Sequence, residues 1–159
     1  MSKLLLQSPI GVLRISSKGG VVEHIEFLGT SKTSLPNGEV APFLRELRGR
    51  FEDYFQGACS MADIPRMQQG TQFQQRVWLA LGEIPVGEVV TYGELARHLG
   101  SGARAVGAAC RVNPTPLIVP CHRVVSSSGI GGFSGETGGD MLGIKRWLLQ
   151  HEGASLPAQ

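Results

Sequence analysis

No stretch of this sequence stays apolar for the length a membrane crossing demands. The amino terminus lacks the basic region, apolar core and cleavage site of a secretory signal. Cysteine is scarce, with Cys59, Cys110 and Cys121 the three present. An odd count, no Cys-x-x-Cys and no histidine at ligand spacing argue against a disulfide framework or a zinc knuckle. These absences predict a cytoplasmic protein with no membrane partner and no bound metal, whose thiols stay reduced and available for chemistry. Charged residues make up only 18% of the chain against 42% hydrophobic, the balance of a chain with a real core. A net charge of +2 is too weak to predict a nucleic-acid partner by itself. Acidic residues are missing altogether from Leu95 to Val125, where Arg97, Arg104, Arg111 and Arg123 occur. A locally cationic face is what a phosphate backbone needs, with chance clustering as the competing explanation.

The 159 residues suffice for one ordinary domain, or for a small domain joined to a second. Lys3–Leu6, Ile10–Ser16 and Val21–Leu28 are apolar and often β-branched, and Gly19-Gly20 between the last two suits a tight hairpin. The polar stretch Gly29–Glu39 reads as a loop. Pro42 opens a predicted helix to about Phe55, with Leu44, Leu47, Phe51 and Phe55 on one face. The connector Gly57–Gly70 is the expected boundary between an amino-terminal sheet-and-helix domain (1–65) and a helical domain (70–155). Thr71 and Gln74 form a capping-box signature ahead of a helix that buries Phe73, Val77, Trp78 and Leu81. Thr91 and Glu94 repeat it before a short helix from Tyr92 to about Leu99. The turn Gly100-Ser101-Gly102 leads to a third helix, Ala103 to Arg111, that stops at Asn113-Pro114. Two short helices across a glycine-containing turn are a helix-turn-helix candidate, although an ordinary helical hairpin is commoner. The third helix is built of small residues (Ala103, Ala105, Gly107, Ala108, Ala109), which let a backbone press close to a neighbouring helix or to a DNA groove. Leu117-Ile118-Val119 reads as a buried run, and a last helix is expected around Ile144–His151.

Cys121 follows that run and a rigid proline, so its position is expected to be fixed. A thiolate is a strong nucleophile when its pKa is lowered, and a thiol ionised ahead of reaction is the expectation for a reactive cysteine here. His122 is adjacent, but neighbouring side chains in an extended segment point to opposite sides, so a water bridge or a local turn is needed to connect them. For a lone cysteine, a buried structural role is the commoner explanation.

Pro120-Cys121-His122-Arg123-Val124-Val125, with Asn113-Pro114 upstream, resembles the active-site signature of the O6-alkylguanine-DNA alkyltransferases, also called methylated-DNA–protein-cysteine methyltransferases. Gly70–Trp78 resembles the opening of that family's second domain. Thr91–Ala96 and Ala103–Gly107 resemble its helix-turn-helix, Trp147–Gly153 its final helix, and Ser8-Pro9-Ile10-Gly11 its amino terminus. The resemblance implies an α+β fold, with a small ribonuclease-H-like amino-terminal domain and a mainly helical DNA-binding domain.

It also implies DNA repair by irreversible transfer of the alkyl group of O6-alkylguanine, and of O4-alkylthymine, to Cys121 after nucleotide flipping, by a monomer acting once. His122 would act through water as base for the thiol, with Glu152 orienting the histidine. Asn113 would order the turn into the active-site strand. Tyr92 would donate its hydroxyl proton toward guanine N3. Arg104 would insert into double-stranded DNA in place of the extruded nucleotide, and Ala103, Arg111 and Arg123 would join it at the minor groove. The Val124 carbonyl would read the flipped base, with Ser134 and Gly135 lining the pocket. No cofactor or methyl donor is implied, in agreement with the lack of a dinucleotide-binding glycine fingerprint. The family's amino-terminal zinc ligands are not found. The loop Gly129–Gly135 is shorter than the family's, Phe133 stands where tyrosine is common, and Glu136–Asp140 reads as an insertion, which leaves pocket breadth open. A non-enzymatic lesion binder of the same family would carry tryptophan in place of Cys121. A cysteine hydrolase would need turnover through a water-cleavable intermediate, and a transcription regulator would leave the Pro-Cys-His-Arg segment without a purpose.

Overall fold

The computed structural model describes residues 2–29, 41–131 and 139–155. Three strands, β1 (Ser2–Ser8), β2 (Gly11–Lys18) and β3 (Val21–Gly29), form an antiparallel sheet in that order. Gly19 and Gly20 both take positive φ, 61° and 77°, as a tight hairpin between right-twisted strands requires. Leu4 pairs with Ile15, Leu6 with Leu13, and Ile15 with Ile25, so one face of the sheet is continuous apolar surface. Helix α1 (Pro42–Gln56) opens on its proline and packs against β1, burying Leu44, Leu47, Phe51 and Tyr54. The buried aromatic at the end of that stripe is Tyr54, while Phe55 is only half-buried.

After the connector come α2 (Gln72–Gly82), β4 (Val90–Thr91), α3 (Tyr92–Leu99), α4 (Ala103–Arg111), β5 (Val124–Val125) and α5 (Gly139–His151). The α+β class expected from the sequence holds. Both capping boxes form, with the Thr71 and Thr91 hydroxyls accepting the backbone N–H of Gln74 and Glu94. Gly100 ends α3 in the left-handed region (φ 66°), and Ser101 N–H reaches back to the Ala96 carbonyl at 2.8 Å. Trp78 on α2 is buried and donates its indole N–H to the Ala109 carbonyl (2.9 Å), which ties α2 to the end of α4. Gly70 is required there, because a Cβ at that position would lie 2.6 Å from the Trp78 ring. Phe73, expected in the core, is half-buried. Helix α5 begins earlier than expected, at Gly139.

One hydrophobic cluster runs through both halves of the chain, from Leu13, Ile15 and Phe51 to Trp78, Val106 and Leu148. The edge of β3 adds polar ties. Val22 exchanges backbone hydrogen bonds with Pro65 and Met67, and Ile25 N–H donates to the Pro114 carbonyl at 3.0 Å. The sheet is thereby attached directly to the turn that leads to Cys121.

Candidate active site

Asn113 organises the approach to Cys121. Its side-chain oxygen accepts the Thr115 N–H (3.1 Å) and its amide donates to the Val119 carbonyl (2.8 Å), closing a turn over residues 113–119. Within that turn Leu117 has φ 76°, an uncommon conformation for a branched residue, held by full burial of Thr115 to Val119. Leu117-Ile118-Val119 is buried as expected, but Cys121 does not lie in a strand. Pro120 leads into a 3-10 turn, Cys121–Arg123, closed by Arg123 N–H on the Pro120 carbonyl (3.0 Å). The strand begins only afterwards, where Val124 and Val125 pair in parallel with Val90 and Thr91. This turn supplies the local bend that an extended Cys-His segment lacks.

His122 is 1% exposed. Its Nε2 lies 2.8 Å from Glu152 Oε2. Burial alone would raise the Glu152 carboxyl, but hydrogen bonds from His122, Arg123 and Tyr54 hold it far below the usual carboxylate range. An ionised Glu152 can only accept, so the histidine carries its proton on Nε2. His122 Nδ1 is buried and has no hydrogen-bond partner among the described residues. Burial lowers the basicity of His122, with the Glu152 contact opposing, so the ring is neutral near pH 7. It is a proton acceptor with one nitrogen fixed and the other available.

The state of the thiol corrects an expectation. Burial raises the Cys121 pKa, and the Asn113 side chain and the Lys145 charge offset this only in part. At rest Cys121 is a thiol, not a pre-ionised thiolate, so a reaction at its sulfur has to release that proton. Cys110, buried on the inner side of α4, is pushed up to about 12 by burial and offers no second nucleophile. Cys59 is exposed on the connector.

Tyr92, the first residue of α3, has its ring between Gly107 of α4 and Gly131, where a Cβ would come within 3.1 Å of it. Burial, followed by the neighbouring thiols, raises the phenol pKa, so Tyr92 keeps its proton. Lys145 Nζ sits 5.7 Å from the same ring centroid and donates to the Val124 carbonyl at 2.7 Å. Burial lowers the Lys145 pKa to about 8. Val124 thus shares its carbonyl with a side chain that the sequence had not singled out.

Arg123 is a correction. Expected on the DNA side, it is buried. Its Nε and Nη2 donate to Glu152 (2.8 and 3.0 Å) and Nη1 to the Ile84 carbonyl (2.6 Å). All three guanidinium nitrogens bond inward, and the fork matches the carboxylate in two parallel bonds. Ala103, Arg104 and Arg111 are exposed on α4, together with Ala105 and Ala108, while Val106, Ala109 and Cys110 face the core. Ser134 and Gly135 lie outside the described residues, as does Phe133. Two further residues at the site went unread. Tyr54 donates its hydroxyl to Glu152 Oε2, and Lys145 borders Tyr92 and Val124. The signal for each was a polar tip within an apolar helical stripe, which when buried requires a partner. Among the described residues, no three His, Cys, Asp or Glu side chains are grouped to hold a metal ion, and no helix is long and apolar enough to cross a membrane.

A family model described as the DNA-binding domain of 6-O-methylguanine DNA methyltransferase matches residues 72–154. A methylated-DNA–protein-cysteine methyltransferase of Methanosarcina acetivorans is 39% identical over 155 residues, covering 94% of this chain and 97% of that relative. One from Haemophilus influenzae is 40% identical over 152 residues, covering 91% and 82%. The Mycobacterium tuberculosis OGT, solved in complex with DNA, aligns with a TM-score of 0.80 at 37% identity, over 96% of this chain and 93% of that one.

Proposed function

The chain belongs to the methylated-DNA–protein-cysteine methyltransferase family, and from that premise we propose that it repairs DNA by moving the alkyl group of O6-alkylguanine, or of O4-alkylthymine, onto Cys121, once per molecule. The observation that carries this reading is a buried thiol in a tight turn, one residue from a neutral histidine whose far nitrogen is fixed on Glu152. The Cys121 sulfur forms a bond to the alkyl carbon as the carbon–O6 bond breaks, its electron pair going to O6. The thiol proton passes to His122 Nδ1 through water. Coupling the two steps suits a thiol whose pKa is raised. The charge arriving on the purine is met by a proton from Tyr92 at N3, so guanine leaves neutral. The proton gained at His122 returns to the phenolate through solvent and balances the charge. Proton donation of this kind is typically worth ~10²–10⁴-fold in rate.

The lesion atom is inside a stacked duplex, so the base must be turned out at a cost of a few kcal/mol. Arg104, at the start of an exposed small-residue helix, takes the vacated position, with Ala103 and Arg111 against the backbone in the shallow minor groove. The Val124 carbonyl reads the flipped base beside its Lys145 bond. The product is a thioether, which water and cellular thiols do not cleave, so no cofactor regenerates the protein. We further place it in the cytoplasm as a monomer, with 1–65 and 70–155 as its two domains.

The test is to incubate the protein with a duplex carrying O6-methylguanine and weigh it intact. The expected result is a gain of one methyl group, mapped to Cys121, saturating at one lesion per molecule. Repeated turnover, or binding without a change in mass, overturns the reading.

A further inference from the structure

Glu152 is held from two directions. From the active-site turn it receives His122 and Arg123, as above. From α1 it receives Tyr54, whose hydroxyl donates to Oε2 at 2.5 Å. Oε2 therefore serves Tyr54, His122 (2.8 Å) and Arg123 Nη2 (3.0 Å) together, while Oε1, among the described residues, takes only Arg123 Nε. Tyr54 is itself gripped by the neighbour of Glu152. His151 donates Nε2–H to the Tyr54 carbonyl (2.6 Å) and stacks on Trp147 with ring centroids 4.6 Å apart. The end of α5, where Glu152 sits, is thus located by α1 through one side-chain and one main-chain contact on the same residue.

We propose that Tyr54 is a positioning residue for alkyl transfer: its hydroxyl on Glu152 Oε2 fixes the carboxylate and limits how strongly it draws on His122. The inference rests on the functional reading above. A carboxylate oxygen that accepts from a phenol and a guanidinium has less charge to offer a third donor. Burial and the Glu152 charge keep the phenol protonated, so it acts only as a donor. The titratable and charged groups packed around the relay are Tyr54 on α1, Cys59 on the connector, Cys121, His122 and Arg123 in the turn, and Lys145 and His151 on α5. Among the described residues, those bonded to the Glu152 carboxylate are Tyr54, His122 and Arg123.

Removing the hydroxyl frees Oε2 for His122 and makes the ring more basic. His122 must be neutral to take the thiol proton, so the acid limb of the transfer rate moves to higher pH. The experiment measures methyl transfer from an O6-methylguanine duplex by intact mass across pH, on the full chain, for wild type, Tyr54→Phe and Phe51→Leu. Phe51 is buried on the same helix and carries no polar group, so its variant reports loss of packing alone. The expected result is an acid limb displaced upward by about half a pH unit in Tyr54→Phe and unmoved in Phe51→Leu, with duplex affinity unchanged in both. Site-specific 3-fluorotyrosine at position 54, a stronger donor of nearly the same shape, is expected to move the limb the other way. That arm keeps the test open if Tyr54→Phe fails to fold. Coincident limbs in wild type and the position-54 variants, or an equal displacement in Phe51→Leu, overturn the proposal. Absence of transfer in the wild type overturns the functional reading instead.

Discussion

Arg123 and Arg104 carry the same guanidinium and come from the same acid-free stretch, yet they belong to different halves of the site. Arg123 is buried, with its fork on Glu152 and its remaining edge on the Ile84 carbonyl. Arg104 stands exposed at the start of α4 beside Ala105 and Ala108. The first is locked in a buried ion pair with the partner of His122. The second lies on the surface to which the proposed function gives a binding role. The contrast shows that a run of arginines without acids is not by itself a cationic face. Glu152, distant in sequence but bonded in space, neutralises one of the four. Burial separates the two roles, because a charge out of water must be paired.

Cys121→Ser tests that separation most severely. A hydroxyl is a far weaker nucleophile than a thiol, so transfer is expected to vanish while the affinity for duplex DNA stays at the wild-type level, as read by mass and by equilibrium titration. Transfer that survives would take the nucleophile away from Cys121. Arg123→Leu comes next in size. It strips two donors from a buried carboxylate and leaves only His122 and Tyr54, and breaking a buried pair in this way costs about 3 kcal/mol. Denaturant unfolding should show that loss. Arg104→Ala should leave the unfolding curve within about 0.5 kcal/mol, because it removes no buried contact. If Arg104 replaces the extruded base, the same variant slows transfer by roughly ten- to a hundredfold, corresponding to about 1–3 kcal/mol of lost support for the unstacked step. Equal effects of Arg123→Leu and Arg104→Ala on stability would erase the distinction between the two arginines.

Much of this was legible from residue pattern because it is local. The caps at Thr71 and Thr91, the glycine hairpin at Gly19-Gly20 and the glycine end of α3 are fixed by residues within a few positions of one another, and their elements follow. The site was legible in a different way. The order of motifs around Cys121 pointed to a known active site, and His122 and Glu152 are bonded in the structure. What escaped was what distant segments do to each other. Tyr54 stands next to Phe55, the residue read as the end of the apolar stripe, and nothing near it announces a carboxylate on the far side of the chain. Lys145 was hidden in the same way between Ile144 and Trp147. The ionisation of Cys121 was misjudged because reactivity suggests a lowered pKa, whereas desolvation, which depends on the whole packed surround, raises it. The 3-10 turn at Cys121–Arg123 was one of two alternatives left open, a local turn or a water bridge, because Val124 and Val125 extend the motif with strand-forming residues.

The smallest expected effect distinguishes the two exposed ends of α4. Arg111 lies in its last turn and is exposed, with an uncharged face of Ala105 and Ala108 between it and Arg104. A phosphate contact contributes through release of a condensed counterion, so its signature is not lost specificity but a shallower dependence of affinity on salt. Arg111→Ala should weaken binding to lesion-bearing and undamaged duplexes by similar factors and reduce the slope of log affinity against log salt by about 1. The rate of transfer at saturating DNA should stay unchanged, since nothing at Cys121 or Tyr92 depends on that side chain. Arg104→Ala, by contrast, should lower the saturated rate as well, because a wedge acts on the flipped state and not only on the encounter. Fluorescence titrations of both duplexes across a salt series measure the slope, and single-turnover transfer measures the rate. If Arg111→Ala lowers the saturated rate while leaving the slope intact, the wedge and the phosphate anchor have been assigned to the wrong ends of the helix.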